Sequence, residues 1–243
     1  EAMEKDTAQT QILKNLAVMA ILDIGLLILF VFRKKLLVLP KELLQNRRLI
    51  LKLAVNDFKT KYAGSYLGIV WAFVQPVVTI LVYWLVFSVG LKSGNVDKYP
   101  FVLYLTTGII PWFFFQDALN GGTNALLEYN YLVKKVVFKI SILPIVKIIS
   151  AGFVHVFFVA FALVLCCGYG YFPTVYLLQL FYYMFCAFCF VLALVYATSA
   201  IVIFFRDLTQ IISILLQVGV WLTPIMWDIN TVMADYPLVI KIF

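Results

Sequence analysis

Charge is scarce in this chain: of 243 residues, 13% are Asp, Glu, Lys or Arg, where a soluble domain carries about a quarter. With 64% apolar or aromatic residues, a water-soluble globule of this length would lack the polar surface to cover its core. Histidine is represented once, by His155, and the cysteines by Cys166, Cys167, Cys186 and Cys189. A zinc site needs about four nitrogen or sulfur donors, so these cysteines are read as small apolar filler. There is no Gly-x-x-x-x-Gly-Lys-Ser/Thr phosphate loop, so the chain does not bind and hydrolyse ATP by that device. Nor is there the apolar-polar alternation of a transmembrane barrel. The net charge of +7 sits between long apolar runs and not over a polar surface, which argues against a nucleic-acid binder. What is left is an all-α, polytopic helical membrane protein.

What the sequence does hold is apolar runs long enough to cross a bilayer, at residues 66–90, 101–119, 140–167, 175–205 and 208–227. A further stretch, 16–32, is short and carries Asp23 at its middle, so it is either an extra N-terminal span or an interfacial anchor. Basic residues orient the spans. Arg33, Lys34, Lys35, Lys41, Arg47, Arg48, Lys52, Lys59 and Lys61 crowd the segment before the first strong run, which the positive-inside rule makes cytoplasmic. Alternation then makes 91–100 external, the loop with Lys134, Lys135 and Lys139 internal, 168–174 external, and the turn at Arg206 and Asp207 internal. The basic run after residue 32 replaces the small-residue cleavage site of a signal peptide, so none is expected.

Few titratable groups are read inside the apolar runs: Asp23, Asp117 and His155, on separate segments with no catalytic spacing. Asp117, near the inner end of its run, is read as a cap toward the cytoplasm. His155 is either hydrogen-bonded between helices or functional. The pairs Gly64 with Gly68 and Gly90 with Gly94 serve turns or close packing, and Pro76 and Pro224 each remove a helix hydrogen bond. Beyond Pro224, Asp228, Asn230, Asp235 and Pro237 break the apolar pattern, and short re-entrant or interfacial helices on the outer side are expected. Tyr83, Trp84 and Phe87, together with the run from Trp112 to Phe115, are either a lipid-facing belt or a stacking surface for a sugar.

Four stretches carry a family resemblance. FKTKYAGSYLGIVWAFVQP (58–76) resembles the amphipathic helix and first membrane helix of type-2 ABC transporter permeases that export cell-surface polysaccharides. GIIPWFFF (108–115) is similar to that family's second helix, and NYLVKKVVFKISILP (130–144) to its cytoplasmic coupling segment and third helix. FFRDLTQIISILLQVGVWLTPIMW (204–227) resembles the junction of its fourth and fifth helices and the proline-broken end of the fifth.

The resemblance implies a homodimer of permeases in the bacterial cytoplasmic (inner) membrane, resting on a separate cytoplasmic ABC ATPase that holds ATP and Mg. This chain itself would need no cofactor or metal, and nucleic acid is not a partner. The implied cargo is lipid-linked O-antigen, capsule or teichoic acid, with drugs or other lipid-like molecules as the alternative.

The ATPase contact is expected at Asn56, Asp57, Phe58, Lys59, Lys61 and Tyr62 with Asn130, Leu132, Lys134 and Lys135. The translocation path is expected at Tyr83, Trp84, Phe87, Trp112, Phe115 and Trp221, and helical spacing keeps all six from facing one path. The external gate is expected at Pro224, Trp227 and Asp228, and the internal turn at Arg206 and Asp207. Residues 44–243 form the expected permease domain and 1–43 an N-terminal region without counterpart. The family's sixth span would follow residue 243, so a truncated final span is expected. A secondary transporter would show inverted repeats and paired broken helices. A membrane glycosyltransferase would need more acidic chemistry than Asp97 and Asp228 supply.

Overall fold

The computed structural model describes residues 38–91, 96, 99–133 and 139–227, and Met19 alone before them. The possible N-terminal span, Gly94, Asp97, Lys134, Lys135, and the residues from Asp228 onward lie outside that description. The chain divides into two units, Glu1–Arg47 and Arg48–Phe243. In the first, α1 (Val38–Gln45) ends where the Asn46 amide donates to the Glu42 carbonyl at 2.7 Å.

From Arg48 the second unit continues α2 (Arg47–Lys61), whose Ile50, Ala54 and Asp57 are buried at helical spacing while Asn56, Lys59 and Thr60 are exposed. A turn containing Gly64 (φ +87°) and Gly68 (φ +52°) leads out of it. A Cβ at either glycine would meet nothing within 4 Å, so this pair serves the left-handed turn and not helix packing.

Four helices are long and apolar enough to cross a membrane: α3 (Gly68–Gly90), α4 (Phe101–Glu128), α6 (Ile142–Gly168) and α7 (Val175–Val202). Between α4 and α6 lies the single turn α5 (Asn130–Val133). α3 is continuous through Pro76 and widens over Leu85–Gly90 into a π-helix. The last helix, α8 (Leu208–Leu222), has 15 residues. At 1.5 Å per residue it is about 22 Å long, shorter than a hydrocarbon core of roughly 30 Å.

Two expectations need correction. The 208–227 run is not helical to Trp227, because Thr223 is extended (ψ 141°) and Pro224 cannot continue the ladder. The 101–119 run continues as helix to Glu128, so Asp117 lies within α4 and not at its end. The polar residues that interrupt this run find partners across helices. The Thr209 hydroxyl donates to Asn124 Oδ1 at 2.9 Å, the Ser213 hydroxyl to Asn120 Oδ1 at 3.3 Å, and the Thr123 and Thr198 hydroxyls pair at 2.8 Å.

α4 is the central helix and packs against α3, α6, α7 and α8. Phe114, Ala118, Leu119, Ile148, Ala151, Val191, Val195, Ile212 and Leu216 form one core. Ile80, Phe101, Leu105, Ile109, Ile225 and Met226 form another toward the opposite end, and Trp112 packs against both. The small residues Ala118, Gly122 and Ala125 let the neighbouring helices approach α4 closely.

Candidate functional site, a polar cleft beside the central helix

Hydrophobic spans should seal against each other, yet α2, α3, α4 and α6 leave polar cavities between them. One, of about 500 Å³, is lined by Tyr62, Trp71, Gln75, Thr79, Gln116 and His155 among others. A second, of about 530 Å³, lies toward Asn56, Asp57, Asn124, Glu128, Tyr129 and Lys147. Lys61, Asp117, Asn120 and Ala151 belong to both walls, so the Lys61–Asp117 ion pair, at 2.5 Å, stands where the cavities meet. Both partners are about two-fifths exposed, so this pair adds little stability.

The second ion cluster is more enclosed. Lys147 Nζ reaches Asp57 Oδ1 at 2.7 Å and also pairs with Glu128, with Lys147 and Asp57 side chains 14% and 8% exposed. The Tyr129 hydroxyl donates to Asp57 at 2.6 Å, and Lys147 lies over the Tyr129 ring at 5.1 Å. Burial, reinforced by the hydrogen bond to Asp57, holds the Tyr129 phenol well above the usual tyrosine range. Burial likewise raises Tyr62, against the opposing charge of Lys61. The cluster fastens α2 to α4 and α6 through one lysine. Removing that lysine would strand two carboxylates, one of them buried, and losing one partner of a buried pair costs about 3–5 kcal/mol.

Asp57 therefore faces into the bundle, while its neighbours Asn56 and Lys59 face outward. Phe58 packs edge-on against Tyr62 (5.7 Å between centroids) and Phe153 (5.9 Å), tying the same helix to α6. Of the loop residues expected beside them, Asn130 is exposed at the start of α5, which also contains Leu132.

Of the six aromatic residues expected on a translocation path, Tyr83, Phe87 and Trp112 pack on one core, and none of the six lines either polar cavity. Tyr83 meets Trp221 edge-on at 6.3 Å, and Phe87 stacks on Phe101 at 5.9 Å within the core around Ile80. Trp112 and Phe115 lie 5.7 Å apart, and Phe115 stacks on Phe190 of α7. Trp84 turns away to a separate apolar pocket with Leu81, Val102 and Phe161.

At the expected external gate, the Tyr104 hydroxyl lies 2.7 Å from the Pro224 carbonyl and 3.2 Å from that of Trp227, while the Trp227 indole donates to the Trp221 carbonyl at 3.0 Å. Arg206 and Asp207 are exposed in the turn joining α7 to α8. At the same end of the bundle the Tyr196 hydroxyl donates to the Ser141 carbonyl at 2.5 Å.

Sequence reasoning missed Lys147, Gln75, Gln116 and Asn120. The signal for Lys147 was present, since a lysine inside an apolar run is costly unless paired. The three amides carry no charge to stand out against their apolar neighbours.

Residues 48–240 match the ABC-2 type transporter family. The O-antigen export system permease protein RfbA of Myxococcus xanthus is 32% identical over 197 residues, covering 81% of this chain and 75% of that protein. A protein of the same name from Klebsiella pneumoniae is 24% identical over 182 residues, covering 74% of this chain and 68% of that protein. With the family matched along the whole helical bundle, this multi-pass membrane protein belongs to the ABC-2 type transporters.

Proposed function

We propose that the chain is the permease subunit of an ATP-driven exporter that carries lipid-linked polysaccharide outward across the cytoplasmic membrane. The observation that carries this reading is the 32% identity to an O-antigen export permease over 81% of the chain. In this reading a separate ABC ATPase binds ATP and Mg, and a second copy of the permease completes the translocation unit. The ATPase meets the exposed face of α2 at Asn56 and Lys59, together with the segment from Asn130 through Lys134 and Lys135. The inward-facing Asp57 supports this assignment, because a helix held to α4 and α6 by an ion cluster transmits a push and a free surface helix does not. Pro224, Trp227 and Asp228 form the outer gate.

Co-purification with an ABC ATPase from the same cell, followed by deletion of the permease, tests the proposal. A one-to-one complex and loss of polysaccharide from the cell surface are expected, with the glycolipid accumulating inside. Normal surface polysaccharide in the deletion strain, with altered drug resistance instead, would move the cargo to a small lipid-like molecule.

A further inference from the structure

The chemistry of the cleft wall separates the ligands it can take. Asp57, Asp117 and Glu128 face two lysines, Lys61 and Lys147, and each lysine already pairs with a carboxylate. Phosphate would meet a wall with more acid than base and would have to break a pair to gain a cation. The half nearer mid-span instead presents the Gln75 and Gln116 amides, which both donate and accept, beside Asn120, whose Oδ1 already accepts from Ser213, and Thr79, whose hydroxyl donates to the Gln75 carbonyl. Beside them stand the rings of Tyr62, Phe113 and Trp71, the last 44% exposed. Amides that answer hydroxyls in either sense, next to broad aromatic faces, are what a neutral sugar needs.

His155 closes the buried side of the cleft. It lies in the same wall, is 8% exposed, and its Nδ1 meets no hydrogen-bond partner among the described residues. That nitrogen is sealed from the cavity and the ring packs on Phe114 at 4.8 Å, so His155 backs the wall and is not itself a ligand contact. Each cavity, near 500 Å³, falls within the range of small-molecule sites.

We infer that the cleft between α2, α3, α4 and α6 binds the uncharged sugar headgroup of a glycolipid, with the alkyl chain left in the bilayer. This rests on the proposed export of lipid-linked polysaccharide and adds where a sugar unit is held, at a place distinct from the six aromatic residues of the expected path.

The test uses the full-length permease in lipid nanodiscs and two photoreactive probes, dodecyl glucoside and dodecyl phosphate, each with a diazirine beside the headgroup. After illumination, labelled peptides are mapped by mass spectrometry. The glucoside is expected to mark residues 71–79 and 113–120. Gln116→Leu or Gln75→Leu, each removing one or two hydrogen bonds, should lower that labelling about threefold to tenfold. Val164→Ala, on the exposed face of α6, should leave it unchanged.

Labelling of the cleft by the phosphate probe as strong as by the glucoside, or glucoside labelling confined to the lipid-facing surface, overturns the inference. Both outcomes are read on the unsubstituted protein, so neither depends on a variant folding. Surface polysaccharide in cells is scored separately. Export with an unlabelled cleft removes the site alone, whereas a labelled cleft without export removes the export reading and leaves a glycolipid site.

Discussion

At Gly122 α4 packs tightly on α7, because a Cβ there would sit 2.5 Å from Val195 Cγ1 and 2.7 Å from Cγ2. Gly122→Ala must push these helices apart, and overpacking of this kind costs about 1–3 kcal/mol. The thermal midpoint of the purified permease should fall, and adding Val195→Ala should recover most of the loss. No recovery in the double variant would mean that the glycine serves the backbone and not the approach. Tyr129 makes a different prediction. Its raised pKa means that the folded chain keeps the phenol proton after the unfolded chain has lost it near pH 10. The contribution is therefore intact below that pH and is lost as pH rises toward the folded value. The midpoint difference between the unsubstituted protein and Tyr129→Phe should stay level from about pH 7 to 9 and narrow above about pH 10. A difference that grows with alkalinity would contradict the geometry at Asp57.

At the scale of the element, α8 ends early and the chain after Leu222 folds back against α4. Ile225 and Met226 join the core around Ile80 and Leu105, and a Cβ on Gly108 would meet Ile225 at 3.3 Å. Tyr104 holds this return by reaching the carbonyls of Pro224 and Trp227. Tyr104→Phe removes a hydrogen bond to the exposed Pro224 carbonyl and a longer one to the half-buried Trp227 carbonyl, a loss of about 0.5–1.5 kcal/mol. A cysteine replacing Met226, which is 2% exposed, should then react with a small thiol reagent several-fold faster. An unchanged rate would show that packing on Ile109 and Leu105 alone holds the segment. The long helices α3, α6 and α7 were legible because uninterrupted apolar runs mark spans directly. The true length of α4 was not, since Asn120, Thr123 and Asn124 read as the end of a run until their partners Ser213, Thr198 and Thr209 are known. The cleft was illegible for a related reason. Gln75, Gln116 and His155 come from three helices, and only their convergence distinguishes them from scattered polar residues.

For the whole molecule, alternating helix directions gather the start of α3, the end of α4, the start of α6 and the α7–α8 turn at one end. The ion pairs of Lys61 and Lys147 and the Tyr196 contact to Ser141 tie that end together, and Lys59, Lys139 and Arg206 lie there too. The connection from α3 to α4 carries Lys92 and Lys98 against Asp97, and the α6–α7 turn carries no charge. Basic residues near span ends resist translocation, because a lysine or arginine at mid-bilayer costs about 2.5–3.5 kcal/mol. The basic end is accordingly expected in the cytoplasm. In a variant with the four native cysteines replaced, single cysteines at Ser65 and Phe204 should react with an impermeant maleimide in inside-out vesicles and not in intact cells. A cysteine at Thr174 should do the reverse. Four full-length spans, α3, α4, α6 and α7, separate Ser65 from Phe204 along the chain, so agreement between these two sites, with Thr174 opposite, also tests the crossing of the bundle. If Phe204 were labelled with Thr174 from outside, α7 would not span and the short α8 would lose its cytoplasmic anchor at Arg206 and Asp207. A uniform reversal of all three sites would keep the bundle and overturn the orientation, and with it the assignment of α2 to the ATPase.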